Sequence, residues 1–169
     1  MAYTATSSGA HYGGANMVAP LRRVFLRRPD DGACARWREF GWRSAPDPAA
    51  LRAEHEGFCE LDSGGAEVVV GAPVPGALDA IYTFDLAVVS GRGAIVLRSG
   101  KELRQAESAA TAADLERAGI PIAATVEPPA TVDGGDTIWL DDQTLLVGRG
   151  YRTNAAGVTA LREPFRTWR

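Results

Sequence analysis

Three stretches of this chain carry polar residues at spacings that a plain structural loop does not need. In the first, Asp79-Ala80-Ile81-Tyr82-Thr83-Phe84-Asp85, two aspartates flank an apolar run. A carboxylate in apolar surroundings is costly unless it meets a cation or hydrogen-bond donors. A guanidinium ligand would satisfy it, because the planar N–H fork matches a carboxylate bidentately. An internal arginine partner, or a capped backbone turn, would satisfy Asp85 equally well. In the second stretch, Val132-Asp133-Gly134-Gly135-Asp136-Thr137, a Gly-Gly pair between acids allows a sharp turn with side chains at its tip. An ordinary turn closed by aspartate hydrogen bonds reads the same way. In the third, Gly148-Arg149-Gly150-Tyr151-Arg152-Thr153-Asn154, glycines leave room for a ligand and Arg152 could meet a carboxylate. Thr153 or Asn154 could cap a following helix.

Other chemistries find no motif. The third stretch lacks the Gly-Lys-Ser/Thr of a phosphate-binding loop, and no GxGxxG follows a strand, so no nucleotide cofactor is indicated. Two cysteines, Cys34 and Cys59, do not make a disulfide framework, and no Cys/His cluster calls for zinc. Cys59 and His55 lie four apart on or beside the apolar face of an expected helix, where such residues are core more often than catalyst. We expect no cofactor and no metal.

The elements that position these stretches follow from the local pattern. Residues 22–26 read as a strand stopped by Pro29-Asp30-Asp31-Gly32. Asp47-Pro48 reads as a helix N-cap with proline at the first helical position. Leu51, His55, Phe58 and Leu61 continue at helical spacing until Gly64-Gly65, and the valines of 67–70 read as a buried strand. Residues 79–89 are strand-like, Gly91-Arg92-Gly93 turns, and 94–97 return. The Ala- and Glu-rich stretch 102–118 reads as one helix with Gly119 behind it, followed by a strand over 121–126. Strands over 137–140 and 145–148, joined at Asp141-Asp142-Gln143, lead into a helix from Asn154 through Leu161.

The order strand, strand, helix, strand thus occurs once in full, with a similar unit before it and a third begun after it. The expected organisation is a flexible polar tail over 1–20 and one domain over 21–169, with units at roughly 21–72, 79–127 and 133–169. A hydrophobic fraction of 46% and a charged fraction of 23% are those of a globular protein. The net charge of -3 argues against nucleic acid or anionic membrane as a partner. No apolar run approaches the roughly 20 residues of a membrane helix, and the N-terminus is not a secretory signal. We expect a cytoplasmic protein.

Four blocks taken in order, 79–85, Arg98-Ser99-Gly100-Lys101-Glu102-Leu103-Arg104, Asp133-Gly134-Gly135-Asp136 and 148–154, resemble the dimethylarginine dimethylaminohydrolase branch of the amidinotransferase superfamily. The resemblance runs from about Arg22 to Leu161. It implies an α/β (α+β) fold, the pentein-type propeller of ββαβ units around a polar channel, of which this chain would hold about the first three units. It also implies roles. Asp79 and Asp85 match positions that bind the substrate guanidinium, and Arg104 and Arg152 match positions that bind its amino-acid carboxylate. Asp133 matches the acid that orients the catalytic histidine and contacts the guanidine. One position departs: Phe84 stands where animal dimethylargininases have a glutamate, which removes one carboxylate.

The chemistry implied is covalent. A cysteine thiolate attacks the guanidine carbon and a histidine protonates the departing amine. Water then hydrolyses the amidino-cysteine, giving citrulline, or an acceptor amine takes the amidino group. In such chains that cysteine and histidine lie in the later half. The expectation is therefore an arginine-like guanidino ligand, a chain with little activity of its own, and association with a C-terminal half or with itself. Amidino transfer and catalytically inactive arginine binding remain the alternatives.

Overall fold

Strand β1 (Arg23–Arg27) lies parallel to β2 (Glu67–Gly71) in the computed structural model, which describes residues 12–14 and 16–166. A parallel pair needs a crossover, and α1 (Pro48–Ser63) provides it. Asp47 caps that helix as expected: its Oδ1 accepts the Ala50 N–H at 2.7 Å. Ahead of α1, a 3₁₀ turn (Asp31–Arg36) and the Trp37–Trp42 segment bury Ala33, Cys34 and Phe40 against Leu78.

The second unit is a complete ββαβ. Strands β3 (Ala87–Ser90) and β4 (Gly93–Val96) form an antiparallel hairpin. Helix α2 (Glu107–Arg117) then carries the chain over to β5 (Ile122–Thr125), parallel to β4. The third unit opens with the hairpin of β6 (Thr137–Trp139) and β7 (Leu145–Val147) and continues into α3 (Ala155–Arg166). Asn154, rather than Thr153, caps α3, with its Oδ1 accepting the Gly157 N–H at 2.7 Å.

Three separate sheets result, and packing joins them. Val88, Ile95, Leu97 and Val126 of the second unit share one core cluster with Val132, Trp139 and Leu161 of the third. The first unit is tied to the second by charge. Arg27 on β1 pairs with Asp114 on α2 at 2.7 Å, and both side chains are almost wholly buried. Arg27 also donates to Ala72 O and Thr111 Oγ1.

Two expected elements differ. Residues 79–89 do not form one strand. They make successive 3₁₀ turns, Leu78–Ile81 and Thr83–Leu86, before β3 begins. The apolar letters read as a strand, but the run opens with Leu78, Asp79 and Ala80 buried in succession, and the chain turns there. The turns, closed by Tyr82 N–H to Asp79 O and Asp85 N–H to Tyr82 O, direct both carboxylates to partners. The helix expected over 102–118 likewise splits into a 3₁₀ turn (Glu102–Arg104) and α2, because Arg104 is drawn inward. The valines of β2 are half-buried rather than buried, as befits a two-stranded sheet. Most of the expected N-terminal tail lies outside the described residues, although Gly14 N–H meets Val89 O.

Removing one partner of a buried ion pair strands the other charge, at a cost of about 3–5 kcal/mol. Asp114 would keep only the largely exposed Arg117 as a cation, so replacing Arg27 by methionine should lower the unfolding free energy by about 3 kcal/mol, the lower end of that range, in urea titrations. A loss below about 1 kcal/mol would mean that this pair does not hold the first unit to the second.

Candidate active site

The three aspartates predicted from the sequence come from two stretches, 79–85 and 132–137, and a single short stretch connects them. Asp79 is buried in the first 3₁₀ turn. Its Oδ1 accepts the Trp42 indole N–H at 2.7 Å and its Oδ2 accepts the Lys101 ammonium at 2.6 Å. Lys101 also donates to Phe40 O, and its charge lies 5.0 Å from the Phe40 ring centroid. Asp85, in the second turn, accepts the Gly135 N–H on Oδ1 at 3.1 Å and the Arg104 guanidinium on Oδ2. Asp133 accepts the Gly100 N–H on Oδ1 at 3.1 Å and Arg152 on Oδ2 at 3.0 Å. Its own N–H donates to Thr153 Oγ1, whose hydroxyl in turn donates to Asp136.

Gly100, Lys101 and Arg104 thus each hold one of the three acids. Close backbone approach makes this possible. A Cβ on Gly100 would lie 2.5 Å from Arg152 Cα, and one on Gly134 would lie 1.9 Å from Phe84 O. Glycine is the residue that permits both contacts. The Gly134–Asp136 3₁₀ turn can therefore press against the Asp85 turn, and the loop at Arg152 against the 100–104 stretch.

The arginines are placed differently from one another. Arg152 is half-exposed. Arg104 is completely buried. Its Nε and one terminal nitrogen donate to Glu107, the same nitrogen donates to Tyr82 O at 3.0 Å, and the other holds Asp85. Burial works against the charge on Arg104, but hydrogen bonds to Glu107 and Asp85 raise its pKa all the same. Glu107 feels the opposite balance. Burial pushes its carboxyl above the ordinary 4.5, against the pull of Arg104. Tyr82 and Phe84, both about half-exposed, stand beside the acids, and Tyr82 lies 6.4 Å from the Trp42 ring.

Lys101, Trp42 and Glu107 were not singled out from the sequence. A signal existed for Lys101, since it is the single lysine among 18 basic residues. The two cysteines lie elsewhere. Cys34 is buried, and burial raises its thiol pKa. Cys59 Sγ lies 3.6 Å from His55 Nδ1 on α1, and burial lowers the pKa of that histidine. A cavity of about 290 Å³ bounded by Arg28, Asp30, Arg52 and His55 shares no residue with the acid cluster. Among the described residues, no group of three or more His, Cys, Asp or Glu converges to hold a metal ion. No helix among them is long and apolar enough to cross a membrane.

No family model matches the chain. A curated relative does: the N(G),N(G)-dimethylarginine dimethylaminohydrolase of Streptomyces coelicolor is 33% identical over 147 residues, covering 86% of this chain and 56% of that protein. The chain belongs to the dimethylarginine dimethylaminohydrolase and amidinotransferase superfamily. Solved structures agree on the fold. Dimethylarginine dimethylaminohydrolase from Pseudomonas aeruginosa, complexed with citrulline, superposes with a TM-score of 0.71 at 21% identity, over 86% of this chain and 56% of that one. The N-terminal domain of ArgZ, a cyanobacterial arginine dihydrolase bound to its substrate, gives 0.73 at 18% identity, over 86% and 55%. The architecture is thus the pentein-type propeller, and the sheets of this chain form part of it without closing a ring. The chain spans about half the length of the relatives it matches.

The raised Glu107 carboxyl has a consequence for this superfamily scaffold. A carboxyl whose folded pKa is raised binds its proton more tightly folded than unfolded. Its contribution to stability is complete below 4.5 and is lost as pH rises through the higher folded value. In urea titrations between about pH 4 and pH 8, the stability of the wild type relative to Glu107→Gln should therefore fall with rising pH. A relative stability that grows with pH would contradict the assignment.

Proposed function

We propose that this chain supplies the guanidinium-holding part of an amidine hydrolase that acts on arginine or a methylated arginine and yields citrulline and an amine. The observation that carries the reading is the cluster itself: Asp79, Asp85 and Asp133 are gathered by the 100–104 stretch, each with an oxygen already matched to a cation. Carboxylates spaced to hold nitrogen cations hold a planar guanidinium so that its carbon is presented to a nucleophile. In this reading a thiolate attacks that carbon, a histidine protonates the departing amine, and water hydrolyses the amidino-thioether. Asp133 orients that histidine. The thiol and imidazole belong to the later part of such proteins.

The geometry supports distinct roles for the two arginines. Arg152, half-exposed, takes the carboxylate end of the ligand. Arg104 is a positioning residue: buried between Glu107 and Asp85, it holds Asp85 in place. Phe84 and Tyr82, both about half-exposed, add apolar surface beside the acids where the animal dimethylargininases have one more carboxylate. A free amino-acid substrate fits a cytoplasmic setting. Ile138, Leu140 and Leu146, exposed on and beside the β6–β7 hairpin, give the following unit or a second copy a surface to cover.

Calorimetric titration of the chain with L-arginine tests the binding half of this proposal. Binding is expected in roughly the millimolar range, and Asp85→Ala should weaken it by at least about tenfold, or 1.4 kcal/mol. Absence of heat with the wild type at about 20 mM arginine, roughly twentyfold above that range, would refute the reading.

A further inference from the structure

Each of the three aspartates already has an internal cation, and the three cations are not equally held. Arg104 is 1% exposed and also neutralises Glu107, so it cannot leave without stranding a buried acid. Arg152 sits on a loop with its side chain half in solvent. Lys101 is intermediate, at 21% exposure, and pairs with no second acid among the described residues. Its ammonium rests on Asp79 Oδ2 and on the Phe40 carbonyl, where the Trp42 indole fixes the other Asp79 oxygen. The place at Asp79 where a ligand cation would bind is occupied by the chain's own lysine. The choice of residue is pointed, because the other 17 basic residues are arginines.

We propose that Lys101 is an exchangeable internal occupant of the Asp79 subsite, displaced by an incoming guanidinium, so that the subsite selects guanidinium over ammonium ligands. The inference rests on the reading of the site as a guanidinium holder and adds what decides which cations enter. An ammonium is a compact, strongly hydrated point charge; a guanidinium is weakly hydrated, planar and forked, and stacks on aromatic rings. At Asp79 a guanidinium gains the fork and the neighbouring Trp42 and Tyr82 rings, which a lysine ammonium does not use. A ligand ammonium such as that of ornithine would exchange like for like and gain nothing to offset its own ordering. Releasing Lys101 gives up its contacts with the Phe40 carbonyl and the Phe40 ring.

Amine labelling reads the exchange in the wild-type chain, because Lys101 and the amino terminus are its only primary amines. Reductive methylation followed by mass spectrometry should show Lys101, measured against the amino terminus, reacting several-fold faster with saturating arginine present. Ornithine should leave the rate unchanged. In parallel calorimetry, Lys101→Gln should bind arginine about tenfold tighter, since a competent state populated about a tenth of the time reduces apparent affinity by that factor. If arginine binds but Lys101 labelling stays level or slows, or if ornithine accelerates it equally, the exchange is wrong while the guanidinium-holding reading stands. If the variant folds and binds arginine no tighter than wild type, Lys101 is a structural clamp. If arginine binds neither protein, both ideas fall together.

Discussion

Buried carboxylates set the terms for this structure. Asp79 and Asp133 are almost wholly removed from water, and Asp85 is mostly so. An ionised group in that position must be matched by donors or it destabilises the fold. The match is concentrated in the five residues from Gly100 to Arg104, which supply a backbone N–H, an ammonium and a guanidinium to the three acids in turn. That stretch is itself fixed from behind. Val132 N–H donates to Arg98 O, and the Arg98 side chain reaches Gln105 and Ala130 O. Little freedom remains to move one acid without moving the others.

The same constraint explains how small, separate sheets make one scaffold. Two- and three-stranded sheets bury too little surface to stand alone. The second and third units solve this with a shared apolar core through Val88, Leu97, Val132 and Leu161. The first unit instead contributes a half-buried sheet and relies on Arg27–Asp114, with Arg23 reaching Ala118 O at the end of α2. Its aromatic segment matters to the site more than to the core. Phe40 and Trp42 lead directly to Asp79 and Lys101, so the packing of the first unit is felt at the first carboxylate.

Local pattern made the regular elements legible in the sequence. Asp47-Pro48 announced α1, and the hairpin turn after Ser90 and the run into α3 lie where the letters put them. What escaped was everything fixed by long-range charge. The run 79–89 reads as a strand by hydrophobicity, but its two aspartates need partners at Trp42, Lys101, Arg104 and Gly135, and the backbone turns to meet them. Residues 102–118 read as one helix by propensity, yet the demand for Arg104 inside breaks it before α2. Asp85 was legible as an acid in want of a cation, and an internal arginine proves to be one partner. The lysine at Asp79 could not be placed by spacing, since nothing local links residues 22 positions apart.

Lys101, Arg104 and Arg152 stand against Asp79, Asp85, Glu107 and Asp133, so the acids are in excess by one. The excess falls where burial already pushes a carboxyl toward its protonated form, at Glu107. A guanidinium that displaces Lys101 leaves that count unchanged, replacing one cation by another on a carboxylate that is almost wholly buried. Exchange therefore keeps the Asp79 carboxylate matched to a cation throughout, as its burial requires.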